Sequence, residues 1–246
     1  MLPLGMSVNF EELDYSQTAI GELSLRRRRV LSMGGAEVYE VKINDRLLMS
    51  SLVNQSEIAL ADLGLRDLSD PRLDVVVGGL GLGYTAIAAL KHPGVASVLV
   101  IEYVTEVIDW HKRGLVPMGN QLMGDKRCRL INGDFFALAA TTDQGFDPQS
   151  SGRQFHAILL DIDHSPSSFL HTSHGAFYTP DGLSRLAKHL HPGGVFALWS
   201  AVPPEDAVLK LLDTTFVNTN AHAVQFHNPL LKSDDINTVY VGRAAL

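Results

Sequence analysis

Residues 74–85 read DVVVGGLGLGYT, and this stretch decides the fold. Its first part, DVVVG at 74–78, is a continuous β-branched run, which is typical of a strand buried on both faces. Alternate glycines follow, Gly79, Gly81 and Gly83, and the pattern then becomes helical. A strand, a glycine-rich turn and a helix in this order predict a turn whose backbone approaches a nucleotide at the helix N-terminus.

The chain beyond this turn alternates between strand-like and helix-like segments. Further strands are predicted at 97–102, 128–132, 156–161 and 195–200, and helices at 84–91, 104–113, 134–141, 181–190 and 204–213. This alternation predicts an α/β fold with a Rossmann-like, doubly wound and mostly parallel sheet. The last strand-like segments, 216–228 and 237–243, have no helix between them and predict a C-terminal antiparallel hairpin. The polar stretch 142–154 is interpreted as a solvated surface loop, and 192–194 as a turn.

The segment before the parallel sheet has a different pattern. Short strand-like stretches between about residues 20 and 53 are separated by Gly34-Gly35 and by Asn44-Asp45, which predicts a small antiparallel β unit. A helical pattern at 56–65 leads into the main sheet. We therefore expect two units, a small N-terminal β unit at 1–55 and a Rossmann-like nucleoside-binding catalytic domain at 56–246.

The composition excludes several classes of function. The chain has 246 residues, 46% of them hydrophobic, and a net charge of -7 from 20 basic and 27 acidic residues, which disfavours a basic nucleic-acid surface. The run Arg26–Arg29 forms no basic stripe, because alternate residues of a strand point to opposite faces. The single cysteine, Cys128, excludes an internal disulfide and a four-cysteine zinc site.

The sequence also predicts where the protein works. The start, MLPLGMSVNFEELD, lacks the basic and apolar regions of a signal peptide, and no stretch holds the roughly 18 apolar residues that a membrane helix needs. We expect a cytoplasmic protein with neither a membrane nor a nucleic acid as its partner.

Acidic residues follow three neighbouring strands of the predicted sheet. Glu102 ends the second strand, where a carboxylate can accept both ribose hydroxyls, and Asp134 follows the third strand, where it can accept from an adenine amino group with Phe135 packing nearby. Asp161 ends the fourth strand, and Asp163 lies two residues on. Each acid alone is also a candidate helix cap. Together, at one edge of the sheet and beside the glycine turn, they predict an adenosine-type ligand.

Three histidines lie close to these acids in the sequence. His164, His171 and His174 fall within eleven residues, and imidazole with carboxylate suits zinc or iron. Their spacing matches no common metal motif, so the wall of an active site and ordinary loop histidines are the preferred interpretations. We expect no metal.

Five segments resemble, in order, those of spermidine synthases and their bacterial relatives. They are Gly78–Thr85, VIEYVTEV at 100–107, INGDFF at 131–136, ILLDIDHS at 158–165 and HPGGVFALW at 191–199. The resemblance runs over roughly residues 16 to 243. It implies the fold of class I S-adenosylmethionine-dependent methyltransferases with an added small β domain, no metal, and a homodimer formed through the β units.

The resemblance also implies roles for single residues. The three glycines of the turn line the nucleoside, Glu102 holds its ribose and Asp134 its adenine. Asp161 matches the first acid of the family's Asp-Ser-Ser-Asp-Pro signature, and there it helps to bind and deprotonate the attacking amine.

The sequence departs from the family pattern where the polyamine would bind. Gly81 stands where the family's turn has an acid that contacts the aminopropyl group of decarboxylated S-adenosylmethionine. His164 stands at the second acid of the signature, with Asp163 beside it. The family's Tyr-His-Glu segment reads Gln55-Ser56-Glu57 and keeps only its glutamate.

A sulfonium donor already carries its leaving group, so the protein has to hold an unprotonated nucleophile in line with the reacting carbon. Asp161 can accept the proton of an amine. Two interpretations of Asp163 are open: as a close neighbour it raises one of the two pKa values, or strand alternation separates it from Asp161. Gln55, Glu57 and His164 are the further candidates for binding the amine.

Four functions are compatible with these residues. Aminopropyl transfer from decarboxylated S-adenosylmethionine to an amine ranks first, S-adenosylmethionine-dependent methyl transfer to a small molecule second, and nucleoside binding without catalysis third. An NAD-dependent dehydrogenase ranks last, because the glycines read G-x-G-x-G and not G-x-G-x-x-G.

Overall fold

The computed structural model describes residues 9–229 and 232–246. The prediction that the chain starts without a signal peptide concerns mostly residues 1–8, which lie outside the described residues. The strands are β1 (Phe10–Thr18), β2 (Gly21–Val30), β3 (Ala36–Ile43), β4 (Arg46–Ser50), β5 (Leu73–Gly78), β6 (Val95–Glu102), β7 (Cys128–Asn132), β8 (Phe155–Leu160), β9 (Leu190–Ser200), β10 (Val217–Asn228) and β11 (Ser233–Arg243). The helices are α1 (Gln55–Leu65), α2 (Tyr84–Lys91), α3 (Thr105–Lys112), α4 (Gly119–Gly124), α5 (Phe135–Ala140), α6 (Pro180–Ala187) and α7 (Asp206–Leu212).

The described strands form two sheets, which confirms the predicted fold class. The larger sheet has seven strands in the order β10-β11-β9-β8-β5-β6-β7, and its members from β5 to β9 run parallel. Strands β10 and β11 form the predicted antiparallel hairpin, and β11 pairs with β9. The order reverses at β5, which lies between β6 and β8, and ligands of such sheets bind beyond the carboxyl ends of the strands at this point.

The central strand β5 is buried on both of its faces, as its β-branched composition predicts. Val75 and Val77 pack with helices α1 and α2, whereas Val76 packs on the opposite face with Phe135 and Phe155. The glycine turn is thus held at the end of a strand that is fixed from both sides.

Two elements were not predicted from the sequence. Strand β1, FEELDYSQT, is polar and lies at the edge of the N-terminal sheet, so the unit has four strands in the order β1-β2-β3-β4. Helix α4 is only six residues long. Neither segment has an apolar period long enough to reveal it.

The four arginines of β2 are held by acids of the neighbouring strands. Arg26 and Arg27 pair with glutamates of β1, at 3.2 and 2.6 Å. Arg28 and Arg29 pair with glutamates of β3, at 2.7 and 3.2 Å. Such partly exposed ion pairs add little to the free energy of unfolding. They do neutralise the four arginines, so these side chains form no basic stripe, as predicted.

One interpretation of the connecting segments holds in part and another is wrong. The stretch 142–154 is a loop and mostly exposed, but Phe146 within it is fully buried and stacks on Phe135 with ring centroids 5.0 Å apart. The segment 192–194 lies inside β9, where the pairing with β8 is irregular and Gly193 has a φ of 75°. In the first segment, the burial of one aromatic ring outweighs the preference of polar residues for solvent. In the second, a bulge lets the strand continue through residues that favour a turn.

No helix in the part of the chain described here combines the length and the apolar character needed to cross a membrane.

We expect Asp147→Asn to lower the free energy of unfolding by about 2 kcal/mol, because one buried acid holds two cations. Asp147 is 2% exposed and accepts from Arg129 at 3.0 Å and from Arg153 at 2.8 Å. Burial raises its pKa, but the bonds from Arg153, the Gln149 backbone and Arg129 lower it further, so the net pKa lies below the usual value. Urea unfolding at pH 7 measures the effect. Asp143→Asn, at an exposed position of the same stretch, is the control and should leave stability within about 0.5 kcal/mol.

Candidate active site

The glycine turn packs directly against the chain that leaves β8. Gly79, Gly81 and Gly83 all have positive φ angles, of 93°, 48° and 92°. A side chain at Gly79 would overlap the carbonyl oxygen of Asp161, and the Asp161 N–H donates to Gly78 at 2.8 Å. The ends of β5 and β8 therefore meet without an intervening side chain.

His111 supports the turn from below. It is fully buried, and its Nε2 lies 3.0 Å from the carbonyl oxygen of Gly81. Burial lowers the pKa of His111, so the ring is neutral and donates from Nε2, because a carbonyl oxygen only accepts. Nothing in the sequence pattern pointed to this histidine.

Glu102 is anchored to the turn through one carboxylate oxygen and to the chain that follows its own strand through the other. Oε2 accepts from the Leu80 N–H at 2.9 Å, and Oε1 accepts from the Val104 N–H at 2.8 Å. Burial raises the pKa of Glu102, although the backbone donors around it oppose the rise. Each oxygen keeps a second lone pair that can accept a further hydrogen bond. The position of Glu102 therefore suits a ribose, and this contact stays a prediction.

Asp134 caps helix α5. Its Oδ1 accepts from the Phe136 N–H at 2.9 Å and the Ala137 N–H at 3.1 Å, whereas Oδ2 takes no hydrogen bond within the described residues. Phe135 is 2% exposed and lies beneath Gly78, where a Cβ would come within 2.6 Å of its ring. The ring of Phe135 thus packs beneath the start of the turn, and its packing against a nucleoside stays a prediction. Contact of Asp134 with adenine stays a prediction.

Asp161 and Glu57 lie together beside the turn. The hydroxyl of Thr85, in the first turn of α2, donates to Asp161 Oδ2 at 2.7 Å and lies 3.4 Å from the backbone oxygen of Glu57. Helix α1 therefore carries Glu57 to the end of β8. Gln55 is exposed, and its Oε1 accepts from the neighbouring Asn54 N–H.

The two carboxyl groups hold protons more tightly than usual. Burial raises the pKa of Glu57 to about 7, and the negative charge of Asp161 adds to the rise. Burial raises the pKa of Asp161 to about 6, and the hydrogen bond from Thr85 works against it. Near neutral pH the pair therefore exchanges one proton readily, which is what proton transfer from an amine requires.

Asp163 lies in a separate, buried network. It is 2% exposed and accepts from the Leu170 N–H at 2.7 Å, from His174 Nδ1 at 2.8 Å and from the Tyr178 hydroxyl at 3.0 Å. Burial and the charge of Asp163 raise the pKa of Tyr178 well above its usual value. The carboxyl group whose pKa the charge of Asp161 raises is that of Glu57. The hydrogen bonds of Asp163 instead tie together the chain between β8 and α6.

The histidines of this segment are dispersed. His174 stacks on Phe136 with ring centroids 3.9 Å apart, which ties the segment to α5. His164 is partly buried, and its backbone oxygen accepts from the Ala201 N–H at 2.7 Å. Within residues 9–229 and 232–246, no three His, Cys, Asp or Glu side chains form a group that could hold a metal ion.

Comparison with known proteins agrees with this architecture. The family model for the spermine/spermidine synthase domain matches residues 22–231. A solved spermidine synthase in complex with the transition-state analogue AdoDATO is 15% identical, with a TM-score of 0.71 over 94% of this chain and 73% of that one. The spermidine synthase of Thermotoga maritima is 14% identical, with a TM-score of 0.68 over 94% of this chain and 72% of that one. At these identities the solved structures show the fold.

Thr85→Val should move the titration of Asp161 to a pH about one unit higher, because the carboxylate loses a hydrogen bond that favours its charged form. Carbon NMR of the side-chain carboxyl groups, recorded from pH 4 to 9, measures this midpoint, and Asp161→Asn assigns the signal. Thr85→Ser keeps the hydroxyl and should retain the wild-type midpoint. An unchanged midpoint in the valine variant would show that the 2.7 Å contact does not control Asp161.

Proposed function

We propose that this chain, which belongs to the spermine/spermidine synthase family, transfers an aminopropyl group from decarboxylated S-adenosylmethionine to an amine. One observation carries the proposal: the hydroxyl of Thr85 donates to the Asp161 carboxylate and lies 3.4 Å from the backbone oxygen of Glu57, and the charge of Asp161 raises the pKa of the Glu57 carboxyl group. The turn and Glu102 suit the nucleoside, and the paired carboxyl groups suit a cationic acceptor beside it.

The reaction needs little covalent help. The lone pair of the amine nitrogen attacks the carbon bound to the sulfonium, the carbon–sulfur bond breaks, and its electron pair stays on sulfur in neutral 5′-methylthioadenosine. An amine with a solution pKa near 10 is mostly charged at neutral pH, so a proton must leave the nitrogen. A carboxylate of the pair accepts this proton.

The raised pKa values set the pH dependence. Each group accepts a proton only in its ionised form, which is populated above its pKa. Since Glu57 titrates at about 7 and Asp161 at about 6, turnover falls as the pH drops through this range.

The proposal has four finer features, which rest on the sequence and on the family resemblance. They are a diamine acceptor, a homodimer formed through the N-terminal β unit, a unit boundary between residues 55 and 56, and a cytoplasmic location. Exposed side chains on the N-terminal sheet, Phe10 at 52% and Tyr15 at 53%, support a dimer through this unit.

Asp161→Asn should lower kcat/KM for the amine by about 100-fold, because the cationic acceptor loses an ionic partner, while affinity for 5′-methylthioadenosine changes less than twofold. Steady-state assays with putrescine as the test diamine, and calorimetric titration of the nucleoside, measure the two quantities. The control Asp62→Asn removes an exposed charge from the helix that carries Glu57 and should retain activity. Equal activity of wild-type and Asp161→Asn proteins would contradict the proposal.

Gly81→Asp should increase the preference for decarboxylated over carboxylated S-adenosylmethionine at least tenfold. Aspartate tolerates the φ of 48° at this position, and the nearest atom to an added Cβ is the flexible Met49 Sδ at 3.1 Å. A carboxylate there attracts the ammonium group that both donors carry, but it also repels the carboxylate that only S-adenosylmethionine carries.

The matched control for this experiment is Gly81→Asn, which has the same shape without the charge. Calorimetric titration of both donors against the three proteins gives the preference. If both variants change it equally, the residue at position 81 does not face the end of the donor. Tighter binding of the carboxylated donor by the wild type would favour methyl transfer.

A further inference from the structure

A cleft of about 320 Å³ lies at the end of helix α1 that is remote from Glu57. Its apolar lining consists of Leu63 on the helix and of Val195 and Val241 on the large sheet. Helix α1 has eleven residues and is therefore about 15 Å long, so the cleft and the paired acids lie at its opposite ends. The volume reaches the lower end of the range of small-molecule sites, which begins at roughly 300 Å³.

The charged side chains of this cleft are mostly positive. Arg66 and Arg243 line it together with one acid, Asp67, so the guanidinium groups exceed the carboxylate by one charge. The chain as a whole has a net charge of -7. The cleft is thus a cationic place on an acidic protein, and it favours a small anion over the amines of the proposed reaction.

Arg66 is a cation without a counterion. Its side chain takes no hydrogen bond and no ion pair within residues 9–229 and 232–246. Its charge nevertheless acts across the cleft on His222 of β10, which also lines the cleft. Burial lowers the pKa of His222, and the positive charge of Arg66 lowers it further. An uncompensated guanidinium group and a neutral imidazole therefore face the same space.

Arg243 is held in place by backbone atoms. Its Nη1 donates to the carbonyl oxygen of Gly193 and its Nη2 to that of Asp67, both at 3.2 Å. The carboxylate of Asp67 is 74% exposed and lies 3.8 Å from Nη2, so it compensates the charge only loosely. A guanidinium group has five N–H donors, and further ones stay available to a ligand.

We propose that this cleft binds a small organic carboxylate, whose apolar body covers the valines and whose carboxylate lies between Arg66 and Arg243. A planar carboxylate accepts two N–H groups of a guanidinium side by side. The single surplus positive charge matches a ligand with one negative charge better than a phosphate monoester, which carries nearly two. The site is separate from aminopropyl transfer, and its test does not depend on that reaction.

Benzoate is the probe for the first test, and His222 is the reporter. A bound carboxylate compensates the charge of Arg66, so the titration midpoint of His222 should rise by about half a pH unit. Proton NMR of the imidazole in the full chain, with the signal assigned by His222→Gln, measures this midpoint. Roughly 20 mM sodium benzoate is compared with the same concentration of sodium chloride, so that ionic strength is equal. Benzyl alcohol, which has a similar shape without the charge, should leave the midpoint unchanged.

The second test removes the cations one at a time. Arg66→Gln should raise the midpoint of His222 in the free protein and weaken benzoate binding at least about fivefold. Arg243→Gln should weaken benzoate binding to a similar extent, and thermal unfolding checks its fold because Arg243 also holds two backbone carbonyls. Arg72→Gln, at an exposed position beyond the helix, is the matched control and should retain the wild-type affinity.

Each contrary result overturns a different part of the proposal. A His222 midpoint that benzoate does not move, or equal benzoate affinity of the wild type and Arg66→Gln, overturns the site. An equal effect of benzyl alcohol and benzoate overturns its selectivity for an anion. Tighter binding of phenyl phosphate than of benzoate overturns the assignment to a carboxylate.

Discussion

The contact between Gly79 and the backbone of Asp161 is the constraint on which the site depends. Because no side chain fits between them, the end of β5 and the chain leaving β8 approach more closely than any other residue at position 79 would allow. This approach brings Thr85, six residues along the same turn, within 2.7 Å of the Asp161 carboxylate. It also places the candidate nucleoside site and the paired acids at one point of the sheet. A Cβ at Gly79 would overlap the carbonyl oxygen of Asp161 and would push the glycine turn away from the paired acids.

The pair formed by Glu57 and Asp161 is costly to the folded protein and suited to its chemistry. Burying a carboxylate disfavours its charge, so the pKa values of both groups rise, and the negative charge of Asp161 raises the pKa of Glu57 further. A cation placed between the two groups relieves both effects. The energy lost in bringing the acids together is therefore recovered in part when an ammonium group binds, and this makes the site selective for a cationic acceptor over a neutral one.

The sequence predicts the fold and part of the site, for identifiable reasons. The strand, turn and helix of 74–91 are local, and the acids at strand ends follow from the parallel topology, so Glu102 and Asp161 could be placed in advance. The side-chain partner of Asp161 could not, because Thr85 and Asp161 are 76 residues apart and meet only in the folded chain. The partners of Asp163 could not be predicted either, because its carboxylate accepts from His174 and Tyr178, which lie 11 and 15 residues further along the chain. A catalytic role of Asp163 beside Asp161 stays a prediction.

Under the proposed function, the two cationic substrates meet different surroundings at their ammonium ends. On the donor side, position 81 carries no carboxylate; Met49 lies against Gly81, and the supporting His111 is neutral. On the acceptor side, Glu57 and Asp161 together carry between one and two negative charges near pH 7. An ammonium group is therefore drawn to the acids, and the donor is held mainly through its nucleoside. In this proposed arrangement, Glu102 and Asp134 hold the nucleoside of the donor, whereas Glu57 and Asp161 hold the acceptor. The two substrates then have one productive orientation, in which the amine faces the sulfonium carbon.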